Sequence, residues 1–374
     1  MQSQSKISSS EPFSVVITGG LGCVGIAITT CLAERLPHAT IHILDLSIPD
    51  RVDDRFSDTV AKYHKVDVTD LDSVLEAFQC IRPPIVIHTA GLLPSVATKI
   101  GLGDAGLFNV NVGGTKNVLK AALQVEAEAL VYTSSCDVAK TDSWADLINV
   151  SEKDDPPADA KFDDKYSETK AHAERLVLDA ATTSSMKTCA LRAHAVIGRG
   201  DNNLVPLLAN VPRGIIIGPG KNLFDFTGVD NFALAHVLAV ENLLGTATAN
   251  GKAFFTTDSD PKPFRQLFEM VCSELDRKAG KKIPDGIAYP YRVIPIWLVV
   301  LILRIINFPF KILGKDDVLP VDGVGNGTAQ RYFDNSAAKE LLGYNPEVSL
   351  DKSVQDACET YNKTISALQS AKNL

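Results

Sequence analysis

No Cys-x-x-Cys pair occurs in this chain, and its seven cysteines (Cys23, Cys31, Cys80, Cys136, Cys189, Cys272 and Cys358) are odd in number and widely spaced. That excludes a zinc ribbon and argues against a disulfide framework; reduced thiols in a cytosol-facing protein fit better. No metal site is expected. Basic residues are not in excess either: 37 Lys and Arg stand against 45 Asp and Glu, a net charge of −8. A nucleic-acid binder would carry a basic face, so nucleic acid is not an expected partner. Glycine (25) and proline (19) are too few for a low-complexity chain of 374 residues. Residues 1–12 are polar and Ser-rich, with no apolar stretch after Lys6. They read as a short disordered tail rather than a secretory leader. The most apolar run, residues 293–310, carries one charge, Arg304, and is bounded near its ends by Pro295 and Pro309. It falls short of the ~20 apolar residues that a membrane span needs.

What is present is an ordinary globular balance, 45% hydrophobic and 22% charged. Mean hydropathy is +0.06, slightly high for a soluble enzyme. At ~150 residues per domain the length suggests one large domain or two interdigitated ones, ample for a sizeable core. Short β-branched runs at 13–18, 41–45, 64–68, 85–88, 129–133 and 188–192 alternate with helical spacing at 26–36, 71–80, 110–126 and 166–181. Strand–helix alternation implies right-handed crossovers and a parallel sheet with helices on both faces. The near-continuous apolar strands suit a sheet buried on both sides. Residues 154–164 are acidic, contain Pro156-Pro157 and read as a surface loop. Beyond residue 193, Gly, Pro and Asn break the pattern into short segments.

The first strand runs into Gly19-Gly20-Leu21-Gly22-Cys23-Val24-Gly25, and a helix follows. Glycine at 19 permits a tight turn, at 22 lets backbone approach a pyrophosphate, and at 25 lets helix pack on strand. The helix N-terminus adds free N–H groups and a favourable dipole for phosphate. Asp45 ends the second strand 20 residues after Gly25, the spacing of a ribose-binding acid. A carboxylate there accepts from both ribose hydroxyls and repels a 2′-phosphate, which favours NAD over NADP. Asp67 and Val68, read as the end of the third strand, are candidates for the ribose or adenine side. Thr89, Ala90 and Gly91 follow the fourth strand at the carboxyl edge, where cofactors sit in open α/β sheets.

Tyr166 and Lys170 share one helix face at i, i+4. An ammonium beside a phenol favours the phenolate, which would make Tyr166 a base for a secondary alcohol. Of eight tyrosines only Tyr166 has lysine at +4. It follows Thr133-Ser134-Ser135 at the end of the fifth strand by 31 residues, counted from Ser135, and Asn111 is read as opening the helix after the fourth. These polar groups converge on one edge of the sheet.

Taken together, several motifs identify a resemblance. They are Thr18-Gly-Gly-Leu-Gly-Cys-Val-Gly25, Val86-Ile-His-Thr-Ala90, Asn109-Val-Asn111-Val-Gly-Gly-Thr115, Tyr132-Thr-Ser-Ser135, Tyr166-x-x-x-Lys170 and Cys189-Ala-Leu-Arg192. Asp225-Phe-Thr-Gly-Val-Asp230-Asn231, Ala235-His236 and Leu342-Gly-Tyr-Asn-Pro346 follow. Over nearly all of residues 13–355 the chain resembles the extended short-chain dehydrogenase/reductases, in the branch of 3β-hydroxysteroid dehydrogenases and decarboxylating sterol-4-carboxylate 3-dehydrogenases. The resemblance implies that Tyr166 is the acid/base and that Lys170 lowers its pKa and holds the nicotinamide ribose. Ser135 would bond the reacting oxygen, with Ser134 its rival, and Asn111 would complete a proton relay. Backbone after Arg192, at Ala193, His194 and Val196, would line the nicotinamide. Leu92, Asp137, Val138 and His194 are the candidate substrate contacts. Two departures stand out: the family's Leu-Arg-Pro is Leu191-Arg192-Ala193-His194 here, and Gly91 replaces a frequent Ala.

The expected fold class is α/β, a Rossmann-type doubly wound parallel sheet with a smaller, discontinuous C-terminal substrate-binding lobe. The cofactor domain would hold residues 13–192 and about 224–252, and the lobe 193–223 and 253–374. The expected reaction is NAD-dependent oxidation of the 3-hydroxyl of a sterol or triterpenoid, with CO2 lost if a 4-carboxylate is present. The alternatives are a dehydrogenase that also isomerises a double bond, an NADPH-dependent carbonyl reductase, and a non-catalytic NAD-binding scaffold. Segment 293–310 is open to four readings: an interfacial helix with Arg304, Lys311 and Lys315 at headgroup level and Trp297 as anchor, a roof over an apolar cavity, a dimer contact, or an ordinary core helix. The resemblance implies the cytosolic face of the endoplasmic reticulum membrane, with a cytoplasmic location as the alternative, and allows a homodimer.

Overall fold

A computed structural model describes residues 13–48, 61–212, 214–281, 291–312 and 321–372. The expected tail at 1–12 and Lys315 lie outside them. Seven strands form the main sheet, and every neighbouring pair is parallel. β1 (Phe13–Thr18) lies inside the sheet. On one side lie β2 (Ala39–Asp45) and β3 (Ala61–Lys65); on the other lie β4 (Ile85–His88), β5 (Ala129–Ser135), Lys187–Ala193 and Lys252–Phe255. The strand order therefore reverses between β1 and β4. In a doubly wound sheet that switch point opens a crevice beyond the strands' carboxyl ends.

Strand alternation divides the core between two faces. Val15 and Ile17 pack with Ile28, Leu32, Phe232 and Val240 from helices α1 (Cys23–Arg35) and Val229–Leu244. Val16 packs the other way with Val74, Val118 and Val177 from Leu71–Ile81, Thr115–Gln124 and Lys165–Thr183. All three β1 residues are fully buried, as expected for a strand covered on both faces.

Two local readings need correction. β3 ends at Lys65, so Asp67 and Val68 lie in the connection that follows it. The Asp67 carboxylate accepts from the Thr69 N–H (2.8 Å) and hydroxyl (2.7 Å), which turns the chain toward the next helix. Asn111 does not open a helix. It sits in a π-helical turn, Asn109–Gly114, between Gly103–Phe108 and Thr115–Gln124. Such turns widen a helix locally and are frequent at functional sites.

A second, four-stranded sheet has the order Lys262–Pro263, Leu223–Phe224, Arg331–Phe333, Leu147–Val150. Leu147–Val150 thus reaches the lobe from within 13–192, whereas Lys252–Phe255 carries the main sheet past residue 252. The apolar segment forms the helix Ile296–Ile312, with Pro309 inside it. Among the described residues no helix is long and apolar enough to cross a membrane.

An ion network ties the late strand to its neighbours. Arg192 donates to both oxygens of Glu174 (2.5–3.2 Å) and to both of Asp155 (2.6 and 2.7 Å), and Ser134 Oγ donates to Glu174 at 2.6 Å. Arg192 and Glu174 are buried. Removing one member of a buried pair leaves the other charge uncompensated, which costs about 3–5 kcal/mol. Arg192→Met is therefore expected to lower the denaturant midpoint by that equivalent at unchanged slope. A midpoint within error of wild type would contradict the role assigned to the network.

Candidate active site

The glycine turn forms the floor of the crevice. Gly19 has φ of +65°, which favours glycine, and its N–H donates to Leu44 O at 2.8 Å. A Cβ on Gly25 would stand 2.5 Å from both Gly19 O and Gly20 Cα, so only glycine lets α1 approach the turn. No side chain caps the N-terminus of α1, which leaves its first N–H groups for a ligand. Cys23 donates its thiol to Arg199 O at 3.2 Å, and burial, then Asp201, pushes that thiol up to about 12. Val24 packs partly buried against the core. Asp45 Oδ2 accepts from the Leu21 N–H at 3.0 Å, which fixes the carboxylate beside the turn. The glycine cradle, the uncapped helix and the fixed carboxylate together fit a dinucleotide. Asp67 is engaged in its own turn, and Val68 packs where a Cβ on Gly114 would lie, 2.9 Å from Val68 Cγ2.

Above the turn, Thr89 Oγ1 donates to Thr18 O at 2.7 Å and Ala90 N reaches Thr18 Oγ1 at 3.4 Å. A Cβ on Gly91 would lie 3.4 Å from Asn111 Oδ1 and 4.0 Å from Lys170 Nζ, so three distant segments converge here. Asn111 is held on all sides. Its Oδ1 accepts from Leu92 N (2.7 Å), and its Nδ2 donates to Leu92 O (3.1 Å) and Thr169 Oγ1 (3.0 Å). Its carbonyl accepts from Thr115 Oγ1 (2.6 Å), which in turn contacts His88 Nε2 (2.9 Å). His88 Nδ1 meets Thr18 Oγ1 at 2.7 Å, closing a chain from Asn111 to the end of β1. Burial, then Lys170, pulls His88 down to about 3, so it is neutral.

The Ser135 side chain, at the end of β5, favours the Tyr166 phenolate. Ser134 instead donates to Glu174. Lys170 Nζ donates to Thr133 O at 2.6 Å and lies 4.3 Å over the Tyr132 ring. Tyr166 is pushed up, first by burial and then by Asp137, with Ser135 opposing. Lys170 has turned to a carbonyl and an aromatic face, and burial pulls it down to about 7 against the pull of Glu174.

His194 packs within the lobe. Its Nδ1 bonds Asp225 O at 3.0 Å, its ring lies 4.4 Å from Phe224 and 5.2 Å from Phe333, and burial lowers it to about 4. Ala193 ends its strand opposite Ser135, and Val196 opens a short strand paired with Thr227–Gly228. Asp137 is held below the usual carboxylate range: burial raises it, but its neighbours, Lys140 foremost, outweigh burial. Val138 is buried beside it. The sequence reading missed Lys140 and Glu174, and it placed His88 at the strand end without foreseeing its bonds to Thr18 and Thr115. Glu174 stands at i+4 from Lys170, a signal that helix periodicity could have supplied.

The profile of the 3-beta hydroxysteroid dehydrogenase/isomerase family matches residues 16–285. The chain is 34% identical over 349 residues to the decarboxylating sterol-4-alpha-carboxylate 3-dehydrogenase of Schizosaccharomyces pombe, covering 92% of this chain and 96% of that protein. It is 34% identical over 355 residues to the Saccharomyces cerevisiae enzyme of the same description, covering 91% and 95%. Among solved structures, an epimerase from Methanothermobacter thermautotrophicus aligns with a TM-score of 0.70 at 19% identity, covering 97% of this chain and 96% of that one. A dTDP-glucose 4,6-dehydratase from Bacillus anthracis, in complex with NAD, aligns at 0.66 and 16% identity, covering 95% and 98%. At those identities the solved structures establish the fold.

Gly25→Val is expected to abolish dinucleotide binding, because the new side chain displaces the turn that faces the pyrophosphate. Fluorescence titration with NADH checks this; saturable binding at wild-type affinity would refute the cradle.

Proposed function

Because the chain belongs to the 3-beta hydroxysteroid dehydrogenase/isomerase family, we propose that it is an oxidoreductase that converts the 3-hydroxyl of a 4-carboxysterol to a ketone, with loss of CO2. The observation that carries this reading is the convergence of Gly91, Asn111 and Lys170 at one point of the site, with Tyr166 one turn before Lys170 on the same helix. The cofactor is a nicotinamide dinucleotide, and Asp45 at the glycine turn supports NAD over NADP, since its carboxylate would repel a 2′-phosphate.

When bound, NAD supplies the hydride acceptor. Gly19, Gly22 and Gly25 would hold its pyrophosphate, Asp45 a ribose, and Lys170 the nicotinamide ribose. Tyr166 takes the proton of the substrate hydroxyl as general base, and Ser135 donates a hydrogen bond to the same oxygen. Asn111 keeps Leu92 in place beneath the substrate. The ketone so formed lies β to the carboxylate, and as CO2 leaves, the C–C bonding electrons pass into the carbonyl as an enolate. That step follows from the substrate's own electronics. Double-bond isomerisation needs a second group to carry a proton between ring carbons. Asp137, held ionised by Lys140, and His194, neutral and bonded to Asp225 O, are poorly suited to that task.

A contact with a lipid surface is also part of this reading. The helix Ile296–Ile312 exposes Trp297 (66%), Ile305 (64%) and Phe308 (63%). Its 17 residues span about 25 Å, short of a ~30 Å hydrocarbon core, so it would lie in the interface with Trp297 as anchor. The Lys311 side chain, named above for the headgroup level, lies outside the described residues. An endoplasmic reticulum location, on the cytosolic face, would suit such a contact and a sterol substrate.

Two measurements test the reading. With NAD and a 4-carboxysterol, wild type should release NADH and CO2 in equal amounts and work poorly with NADP. Tyr166→Phe should lower kcat by at least ~100-fold while NAD binding changes little; turnover near wild type would sink the assignment. For the lipid contact, wild type should float with liposomes and Trp297→Glu/Ile305→Glu should not. A wild-type protein that stays with the soluble fraction removes the lipid contact from the proposal.

A further inference from the structure

The ammonium of Lys140 is 4% exposed and lies among acceptors from three separate segments: Asp137 Oδ1 at 3.5 Å, Asp164 Oδ2 at 3.1 Å and Asn326 Oδ1 at 3.1 Å. Two of these flank the reacting pair. Asp137 follows Ser135 by two residues, and its N–H donates to Ser135 Oγ at 3.2 Å. Asp164 precedes Tyr166 by two residues and caps its helix, accepting from Ser167 N (2.9 Å) and Ser167 Oγ (2.6 Å).

The charges around this point are unevenly matched. Tyr166 faces Asp137, Asp164 and the Cys136 thiol, all of which disfavour a phenolate, and the Tyr132 phenol lies close to it as well. Asp137 in turn faces Lys140, His194 and Arg331. Burial keeps His194 neutral, and the Arg331 guanidinium donates to the carbonyls of Ser143 and Ala145. Among the described residues Lys140 is the cation that forms an ion pair with both Asp137 and Asp164.

We propose that Lys140 is a positioning residue: by neutralising Asp137 and Asp164 together it holds the Ser135 turn against the first turn of the Tyr166 helix and eases formation of the Tyr166 phenolate. This rests on the reading of Tyr166 as the base. The energetic logic is simple. Two carboxylates beside a phenol that must ionise would suppress it, and an ammonium between them cancels much of that field. The same ammonium reaches Asn326 of the helix Asp322–Thr328, so the lobe takes part in the alignment.

The test is the pH profile of kcat/KM for NAD-dependent oxidation of a 4-carboxysterol by the full chain. Lys140→Met should move the ascending limb about one unit to higher pH, which lowers the rate below the limb about tenfold. Lys140→Arg should keep the limb near its wild-type position, and Lys140→Met/Asp137→Asn should bring it back. If Lys140→Met does not fold, Asp137→Asn alone should move the limb to lower pH. A Lys140→Met protein with lower activity at every pH but an unmoved limb would reveal a merely structural role and overturn the inference. So would an Asp137→Asn limb that stays in place. Wild type that lacks NAD-dependent turnover, or Tyr166→Phe that keeps it, overturns the reading beneath as well.

Discussion

A parallel sheet covered by helices on both faces leaves little room for polar side chains except at strand ends, and the chemistry of this protein follows from that constraint. Val15, Val16, Ile17, Val86, Ile87, Leu130 and Val131 are fully buried. Thr18, His88, Ser134, Ser135 and Arg192 come only as β1, β4, β5 and Lys187–Ala193 run out at the carboxyl edge. Because strand order reverses between β1 and β4, the connections that leave those two strands run to opposite sides, and the glycine turn sits at the crevice beyond the strand ends. The fold thus chooses the site's position before any residue's reactivity matters.

Charge placed under such a site has to come with partners, since isolated buried charge is too costly. Glu174 shows how few groups suffice. It accepts from Ser134 and Arg192, and its field favours the ammonium of Lys170 one helical turn earlier. One carboxylate therefore serves strand, helix and active site together. Lys170 balances burial against that carboxylate, the Thr133 carbonyl and the face of Tyr132. With the ammonium so engaged, the phenol of Tyr166 is governed by burial and Asp137. Helix spacing alone would have assigned that task to Lys170.

What was legible in the sequence follows the range of the interaction concerned. The strand positions were readable because β-branched apolar runs are local signals, and so was the glycine turn, whose steric demands involve neighbours such as Gly19, Gly20 and Gly25. The two misreadings are local ambiguities. Asp67 looks like a strand end but serves a turn, and the π-turn at Asn111 leaves no mark in helical periodicity. Lys140 was illegible for a different reason. Its acceptors stand 3, 24 and 186 residues away, and no window along the chain contains them all. Glu174 sits between these cases: its spacing from Lys170 was visible, but its bond to Arg192 depends on tertiary structure.

The lobe illustrates the same distinction on a larger scale. Its sheet gathers short pieces from residues 147–150, 223–224, 262–263 and 331–333, none long enough to announce itself as a strand. What orders them is polar anchoring. Arg331, 1% exposed, donates to the carbonyls of Ser143 and Ala145. Asp225 Oδ2 accepts from Phe333 N at 2.8 Å and from Thr257 Oγ1 at 3.1 Å. Burial, opposed by those two bonds, lifts the Asp225 carboxyl to about 7. The segment after Ser135 is thereby clasped from the lobe side at Ser143 and Ala145 and from the core side at Lys140. The segment that follows Ser135 is thus held by groups from both core and lobe, so the placing of Ser135 against the Tyr166 helix depends on contacts from each.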